Sequence, residues 1–348
     1  MKYNPVIAGM LPGEWEQALA DSGIAGYRAA QVREWVFRRQ EFSFAAMANV
    51  PAALRAAFAE RYRCVALQPE ERARAQDGTM KYLFRTADGA AVESVLIRAA
   101  RRQTVCVSTQ VGCAYACALC ATGQAGFERD LSAAEIVSQL LWIQKEARPA
   151  PVTHVVYMGM GEPLANYTQT VRSVRILNHP DCGGLGARRI TISTCGLPAE
   201  IERLADEAVP CELSVSLHAA EDALRSRMMP VNRRYPLAGL MAACRRFTQK
   251  TKRIVTFEYV VAGGVNDQPE HARALGKLLG GFDCKVNVLT CNPVAGSGFT
   301  APSAAQVRRF SEMVAAQRIK VTLRVSRGAD IAGACGQLRA LRDHNGSG

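Results

Sequence analysis

Along residues 130–326 the chain alternates between two hydrophobic rhythms. SAAEIVSQLLWIQKEA, YTQTVRSVRILN, PAEIERLADE, LAGLMAACRRFTQ, PEHARALGKLLG and SAAQVRRFSEMVAAQ repeat apolar residues at helical spacing. Between them lie short, nearly continuous apolar runs: THVVYMG, RRITIST, CELSVSLH, RIVTFEYV, KVNVLT and, after the last helix, KVTLRVS. Such runs, separated by amphipathic helices, predict parallel strands buried on both faces with helices outside, as an open sheet or a partial or full barrel. In folds of this kind the reactive groups collect at the carboxyl ends of the strands.

The first third of the chain reads differently. Residues 14–63 carry helical patterns: EWEQALADSG, stopped by a glycine, then YRAAQVREWVFRRQ, then PAALRAAFAERY with proline in its first turn. The face carrying Arg28, Arg33, Arg38 and Arg39 is basic, as many solvated helix faces are. Between 64 and 108, MKYLFRT, AAVESVLI and TVCVSTQ read as strands separated by Asp-Gly or charged turns.

Charge adds a partner class. Lys and Arg number 43 against 31 Asp and Glu, a net charge of +12 over 348 residues, and such an excess favours a polyanion. No apolar run approaches the ~20 residues of a membrane span. The start, MKYNPVIAGMLPGEW, lacks a basic segment followed by an apolar core, so a cytoplasmic location is the expectation. The 12 cysteines are then expected to be reduced rather than a disulfide framework. Isolated ones, Cys64, Cys182, Cys211, Cys244 and Cys284, read as small core residues.

Three cysteines depart from that reading. Cys113, Cys117 and Cys120 form C-x3-C-x2-C, close enough to reach one metal centre from a single loop. A structural zinc site normally closes with four ligands, and no fourth Cys or His follows nearby at finger-like spacing. Three thiolates on a four-iron cluster leave one iron open for a substrate. A zinc site and incidental core cysteines remain the alternatives. This spacing, after a strand and before a helix, resembles the radical S-adenosylmethionine superfamily. Downstream, Met158-Gly159-Met160-Gly161-Glu162-Pro163 offers glycines for close backbone approach and a carboxylate able to accept from an ammonium. Ser193, Ser216, Leu217, His218 and Asn292 stand at successive predicted strand ends, although each alone is more often structural.

Taken in order, TVCVSTQVGCAYACALCATGQAGF, YMGMGEPLANY, RRITIST, SVSLHA, MMPVNRRYPL, CNPVAGSG and RGADIAGACGQL resemble the RlmN and Cfr family of adenine methyltransferases. YRAAQVREWVFRR resembles that family's small helical domain, so the likeness spans nearly the whole chain. Leu119 and Cys291 depart from the family pattern, where aromatic residues are common. The resemblance implies an α/β fold, a radical-SAM partial (β/α)6 barrel with a small N-terminal helical domain and a short β extension. The expected units are a helical RNA-binding accessory domain (1–63), a β-rich extension (64–100), a radical core (101–325) and a tail (326–348).

What the resemblance implies for chemistry goes further than spacing. A [4Fe-4S] cluster on Cys113, Cys117 and Cys120 would cleave one S-adenosylmethionine to a 5′-deoxyadenosyl radical. A second S-adenosylmethionine would already have methylated Cys335. The radical would take hydrogen from that methyl group, and the methylene would add to an adenine carbon, which is too weak a nucleophile to take a methyl directly. Cys106 would then resolve the adduct through a transient disulfide with Cys335, and Glu93 matches the proposed proton acceptor. Gly161, Glu162, Ser193, Ser216, Leu217, His218 and Asn292 would bind S-adenosylmethionine. The implied partners are 23S rRNA in its peptidyl-transferase region, the adenosine 3′ of the anticodon in some tRNAs, and a reducing donor such as flavodoxin or ferredoxin. A monomer with no membrane association is expected. Arg327 and Gly328 favour the RlmN pattern, with attack at carbon 2, over a Cfr-type enzyme acting at carbon 8. A radical enzyme acting on a small molecule or peptide, and a non-catalytic zinc protein that binds RNA, are the readings from other classes.

Overall fold

The computed structural model describes residues 4–100 and 102–339. Its first unit is helical: α1 (Pro12–Ala20), α2 (Tyr27–Arg33) and α3 (Ala52–Arg61). Trp15, fully buried, meets Phe58 and Tyr62 edge-on at ring separations of 5.7 and 4.6 Å, an arrangement favoured by the ring quadrupoles. A bridge between Val6 and Arg63 draws the two ends of the unit together. Two features differ from the sequence expectation. The helix from Tyr27 widens into a π-helical turn over Glu34–Arg38, and Arg33 is buried against Glu16 at 2.9 Å rather than standing on a basic outer face. One widened turn shifts the phase of everything after it, so a uniform helical period misplaces the arginines.

The rest is built on one 10-stranded sheet, in the order β1-β2-β3-β4-β7-β8-β9-β10-β11-β12. β1 (Gln68–Arg74), β2 (Met80–Arg85) and β3 (Ala91–Ala99) run antiparallel, and β3 joins β4 (Arg102–Cys106) the same way. From β4 onward every pairing is parallel, through β7 (His154–Tyr157), β8 (Ile190–Thr194), β9 (Glu212–Ser216), β10 (Val255–Val261), β11 (Cys284–Thr290) and β12 (Lys320–Arg324). Helices connect them: α5 (Ala133–Ala147), α6 (Tyr167–Asn178), α7 (Pro198–Asp206), α8 (Asp222–Met228) with α9 (Leu237–Thr251), α10 (Pro269–Leu279) and α11 (Ala304–Ala315). This is the expected partial barrel, open between its two edge strands.

Why these segments take these forms is visible locally. α5 begins at Ser132, whose hydroxyl accepts from the Glu135 N–H while Glu135 reaches back to the Ser132 N–H, a capping box that satisfies two orphan donors. Val255, Phe257, Tyr259 and Val261 of β10 are buried, consistent with a strand covered on both sides. Gly9 packs on α5 so closely that a Cβ there would sit 2.7 Å from that of Ala134, which fixes how the helical unit docks. The isolated cysteines 64, 182, 211, 244 and 284 are all buried. Among the described residues no helix is long and apolar enough to cross a membrane.

Candidate active site

A lobe between β4 and α5 carries the cysteine motif. β5 (Gln110–Gly112) pairs antiparallel with β6 (Phe127–Asp130), pinching residues 113–126 into a closed loop around α4 (Ala121–Gln124). Gly112 is obligatory: its φ is +74°, and a Cβ would lie 1.9 Å from the Gly126 carbonyl oxygen. The loop is braced by Ala118 N–H on the Met228 carbonyl (2.9 Å) and by Ala121 N–H on the Gly336 carbonyl (2.7 Å). Cys113, Cys117 and Cys120, all partly buried, line one cavity of about 300 Å³ at the carboxyl ends of the parallel strands. Burial pushes Cys113 up to about 12 and Cys117 well above the ordinary thiol value, with the neighbouring cysteines adding to both. Thiols held this way release their protons to a positive centre, the condition for metal binding. Among the described residues no three Cys, His, Asp or Glu side chains converge on a single-ion site. Three thiols ranged around one cavity therefore fit a cluster that gives each its own iron.

The next strand end forms the opposite wall. Gly159 and Gly161 press against the segment after β4, where Cβ atoms would meet Ser108 Oγ at 2.6 Å and Gln110 Cβ at 2.5 Å. Glu162 is buried, accepting from Leu164 N–H (2.9 Å) and Cys195 N–H (2.7 Å). Burial raises its pKa against the pull of those hydrogen bonds. Its donors are neutral, so a ligand ammonium would complete its charge balance. That suits the amino group of S-adenosylmethionine.

Ser193, Ser216 and His218 line the same cavity from β8, β9 and the turn after β9. His218 has φ +58°, and its Nδ1 accepts from Val260 N–H at 3.2 Å, which leaves Nε2–H as the donor. Burial, aided by the Arg225 charge, lowers its pKa to about 3. Leu217 does not share this position. Its side chain is fully buried away from the cavity, its N–H donates to the Glu258 carbonyl and its own carbonyl accepts from Arg225 Nε. Asn292 lines the cavity and spends its amide on the Cys335 carbonyl at 3.1 Å.

Cys106 and Cys335 are brought together. Cys106 ends β4 and is buried, Cys335 lies in the tail after β12, and both face the cavity. Burial raises the pKa of Cys106 first, and the charge of Cys335 adds to it. Cys335 is exposed as a residue, but protein crowded around its thiol raises its pKa too, with Glu258 adding and Arg324 opposing.

Glu93 is placed differently from Cys106 and Cys335. It is neither a solvated side chain nor part of the cavity wall: it is buried, ion-paired with Lys81 at 2.9 Å and accepts from the Arg339 N–H at 2.7 Å.

Several site residues gave no sequence signal. Glu258 of β10, read as one polar residue in an apolar strand, lines the cavity and accepts from Ser214 Oγ (2.6 Å) and Asn287 Nδ2 (2.9 Å). Cys195 and Cys291 are buried at the same wall. Arg225 lies just behind it, fully buried. An apolar strand hides an inward polar residue because the barrel interior, unlike its outer face, needs polar groups near the mouth.

The comparisons with known proteins agree with this geometry. Residues 107–275 match the radical SAM superfamily, and residues 7–64 match the ribosomal RNA large subunit methyltransferase N-terminal domain. The dual-specificity RNA methyltransferase RlmN of Geobacter sulfurreducens is 44% identical over 337 residues, covering 97% of this chain and 92% of that one. That of Anaeromyxobacter dehalogenans is 44% identical over 329 residues, covering 92% and 88%. A crystal structure of a radical SAM methyltransferase from Sphaerobacter thermophilus superposes with a TM-score of 0.94 at 46% identity, covering 96% of this chain and 99% of that one. With a full-length likeness on this scale and a site built of the matching residues, the chain belongs to the RlmN family of radical S-adenosylmethionine RNA methyltransferases.

Proposed function

We propose that the chain methylates carbon 2 of an adenosine in the peptidyl-transferase region of 23S rRNA and of the adenosine 3′ of the anticodon in some tRNAs. The observation that carries this reading is the meeting of Cys106 and Cys335 in the cavity lined by Cys113, Cys117 and Cys120. The three loop thiolates would hold a [4Fe-4S] cluster, which, with S-adenosylmethionine, supplies a hydrogen-abstracting radical when electrons come from a low-potential donor of the flavodoxin or ferredoxin class.

The protein's own groups do the rest. Glu162, with Gly161 giving close approach, orients the ammonium of S-adenosylmethionine, while Ser193, Ser216 and His218 fix its other polar groups. Leu217 contributes by holding backbone at the end of β9. Cys335 accepts a methyl group on sulfur in a separate displacement, so two S-adenosylmethionine molecules serve each turnover. Asn292 holds the Cys335 carbonyl and keeps that thiol at the mouth. After the sulfur-bound carbon has joined the adenine, the Cys106 thiolate attacks the Cys335 sulfur. An S–S bond forms, the S–C bond breaks, and its electron pair passes to the carbon, which takes up a proton as the methyl group. An external dithiol then reduces the disulfide. Glu93 anchors the tail through Arg339, one side chain away from the proton-acceptor role the family resemblance gives it.

The relatives' names favour RlmN over a Cfr-type carbon-8 enzyme. We place the protein in the cytoplasm as a monomer, with residues 1–63 as the RNA-binding unit, 64–100 as the β extension, 101–325 as the core and 326–348 as the tail; residues 340–348 lie outside the described residues. The test is anaerobic reconstitution followed by incubation with RNA. The holoenzyme should carry about four irons per chain, and Cys106→Ala should trap a covalent protein–RNA species while Cys335→Ala forms none. Zinc without iron, or full turnover by Cys106→Ala, would overturn it.

A further inference from the structure

Arg225 is fully buried on α8, yet all its hydrogen bonds go to neutral oxygens. Nη2 donates to the carbonyls of Cys195 (2.7 Å) and Ser216 (3.0 Å), Nε to that of Leu217 (3.2 Å), and Nη1 to Asn232 Oδ1 (2.8 Å). Asp222 stands one side chain further off, bonded to Asn232 Nδ2 at 2.8 Å rather than to the guanidinium. A buried cation bonded only to dipoles retains its charge and needs an anion nearby. The same short helix supplies one: its last carbonyl, Met228, receives the Ala118 N–H from between Cys117 and Cys120. The Arg225 charge acts on Cys117 and Cys195 in turn.

We propose that Arg225 is the buried counter-charge of the cysteine loop and sets the potential at which the cluster bound there is reduced. The idea rests on the cluster assignment above. Reduction adds one negative charge to a cluster already carrying thiolates. A fixed positive charge in a low-dielectric wall favours the reduced state and raises the midpoint potential. Arg225 is therefore a positioning and tuning residue, set behind the cavity wall rather than in contact with substrate.

The experiment is a redox titration, followed by electron paramagnetic resonance, of reconstituted full-length wild type, Arg225→Lys and Arg225→Met. Arg225→Met should have a more negative midpoint than wild type, and Arg225→Lys, which keeps the charge but loses donors, should return close to it. A four-iron Arg225→Met with the wild-type midpoint overturns the proposal. So does an Arg225→Lys shifted as far as Arg225→Met, because hydrogen-bond geometry would then be the cause. If Arg225→Met cannot hold iron, Arg225→Lys decides alone: an unchanged midpoint supports the proposal and a lowered one refutes it. Wild type that takes up no iron would instead sink the cluster assignment.

Discussion

Asp77→Ala should loosen the Cys335 tail without disturbing the cysteine loop. Asp77 sits in the β1–β2 turn, where Oδ1 accepts from Thr79 N–H at 2.9 Å and Oδ2 from the tail's Gly328 N–H at 3.1 Å. Gly328, at φ +68°, packs so close that a Cβ would fall 2.8 Å from Thr79 Cγ2. Arg327 lies 3.9 Å from the carboxylate, but its side chain is 44% exposed against 29% for Asp77, so that pair adds little. One charged hydrogen bond to the tail, partly exposed, contributes about 1.5 kcal/mol, the low end of its class. Its loss lowers the docked population of the tail roughly tenfold.

Other anchors, Asp330 on the Gln76 N–H (2.9 Å) and Thr122 Oγ1 on the Leu338 carbonyl (2.6 Å), keep the tail from detaching altogether. Hydrogen exchange over residues 328–339 should therefore accelerate, and methyl transfer should slow by up to about tenfold, with iron content unchanged. Burial pushes the Asp77 carboxyl up, but bonds from Thr79 and Gly328 and the Arg327 charge hold it below the usual range overall. Its contribution is thus complete above pH ~3.9 and fades as pH falls through the lower folded value. Wild-type exchange across 328–339 in Asp77→Ala would refute the reasoning.

Two further outcomes follow from the site. Gly161→Ala forces a methyl group to within 2.5 Å of Gln110 Cβ at φ +97°. It should cost about 1–3 kcal/mol of strain and weaken S-adenosylmethionine binding measured by calorimetry; wild-type affinity would contradict the close approach. His218, lowered to about 3 by burial, binds its proton more readily in the unfolded chain. Its contribution to stability is complete above pH ~6.5 and shrinks toward pH 3, by at most about 1.4 kcal/mol per unit. Urea midpoints at pH 7 and pH 5 should converge in His218→Asn, and an unchanged difference would remove His218 as the cause.

The parallel core was legible because its strands and helices repeat two clean hydrophobic periods. β1 was not: QPEERAR has no apolar alternation, and it forms a strand only because β2 offers an edge to pair with. TVCVSTQ read as one strand, yet the chain leaves the main sheet after Cys106 and pairs again as β5 in a separate ribbon. Among site residues, the cysteines and Glu162 announced themselves through spacing. Glu258 and Arg225 did not, because their importance lies in what the fold packs around them. Glu93 shows the converse: its motif is recognisable, but its Lys81 and Arg339 partners come from other strands and the tail, beyond the reach of any local pattern.

The central claim is that a methyl group parked on Cys335 reaches carbon 2 of an RNA adenine. The most direct test incubates reduced, reconstituted protein with methyl-labelled S-adenosylmethionine and unmodified 23S rRNA or tRNA, then locates the label by mass spectrometry of digested nucleosides. The account predicts label on carbon 2 of adenosine, with label also recoverable on Cys335. Label on carbon 8, or on RNA made equally well by Cys335→Ala, would contradict it.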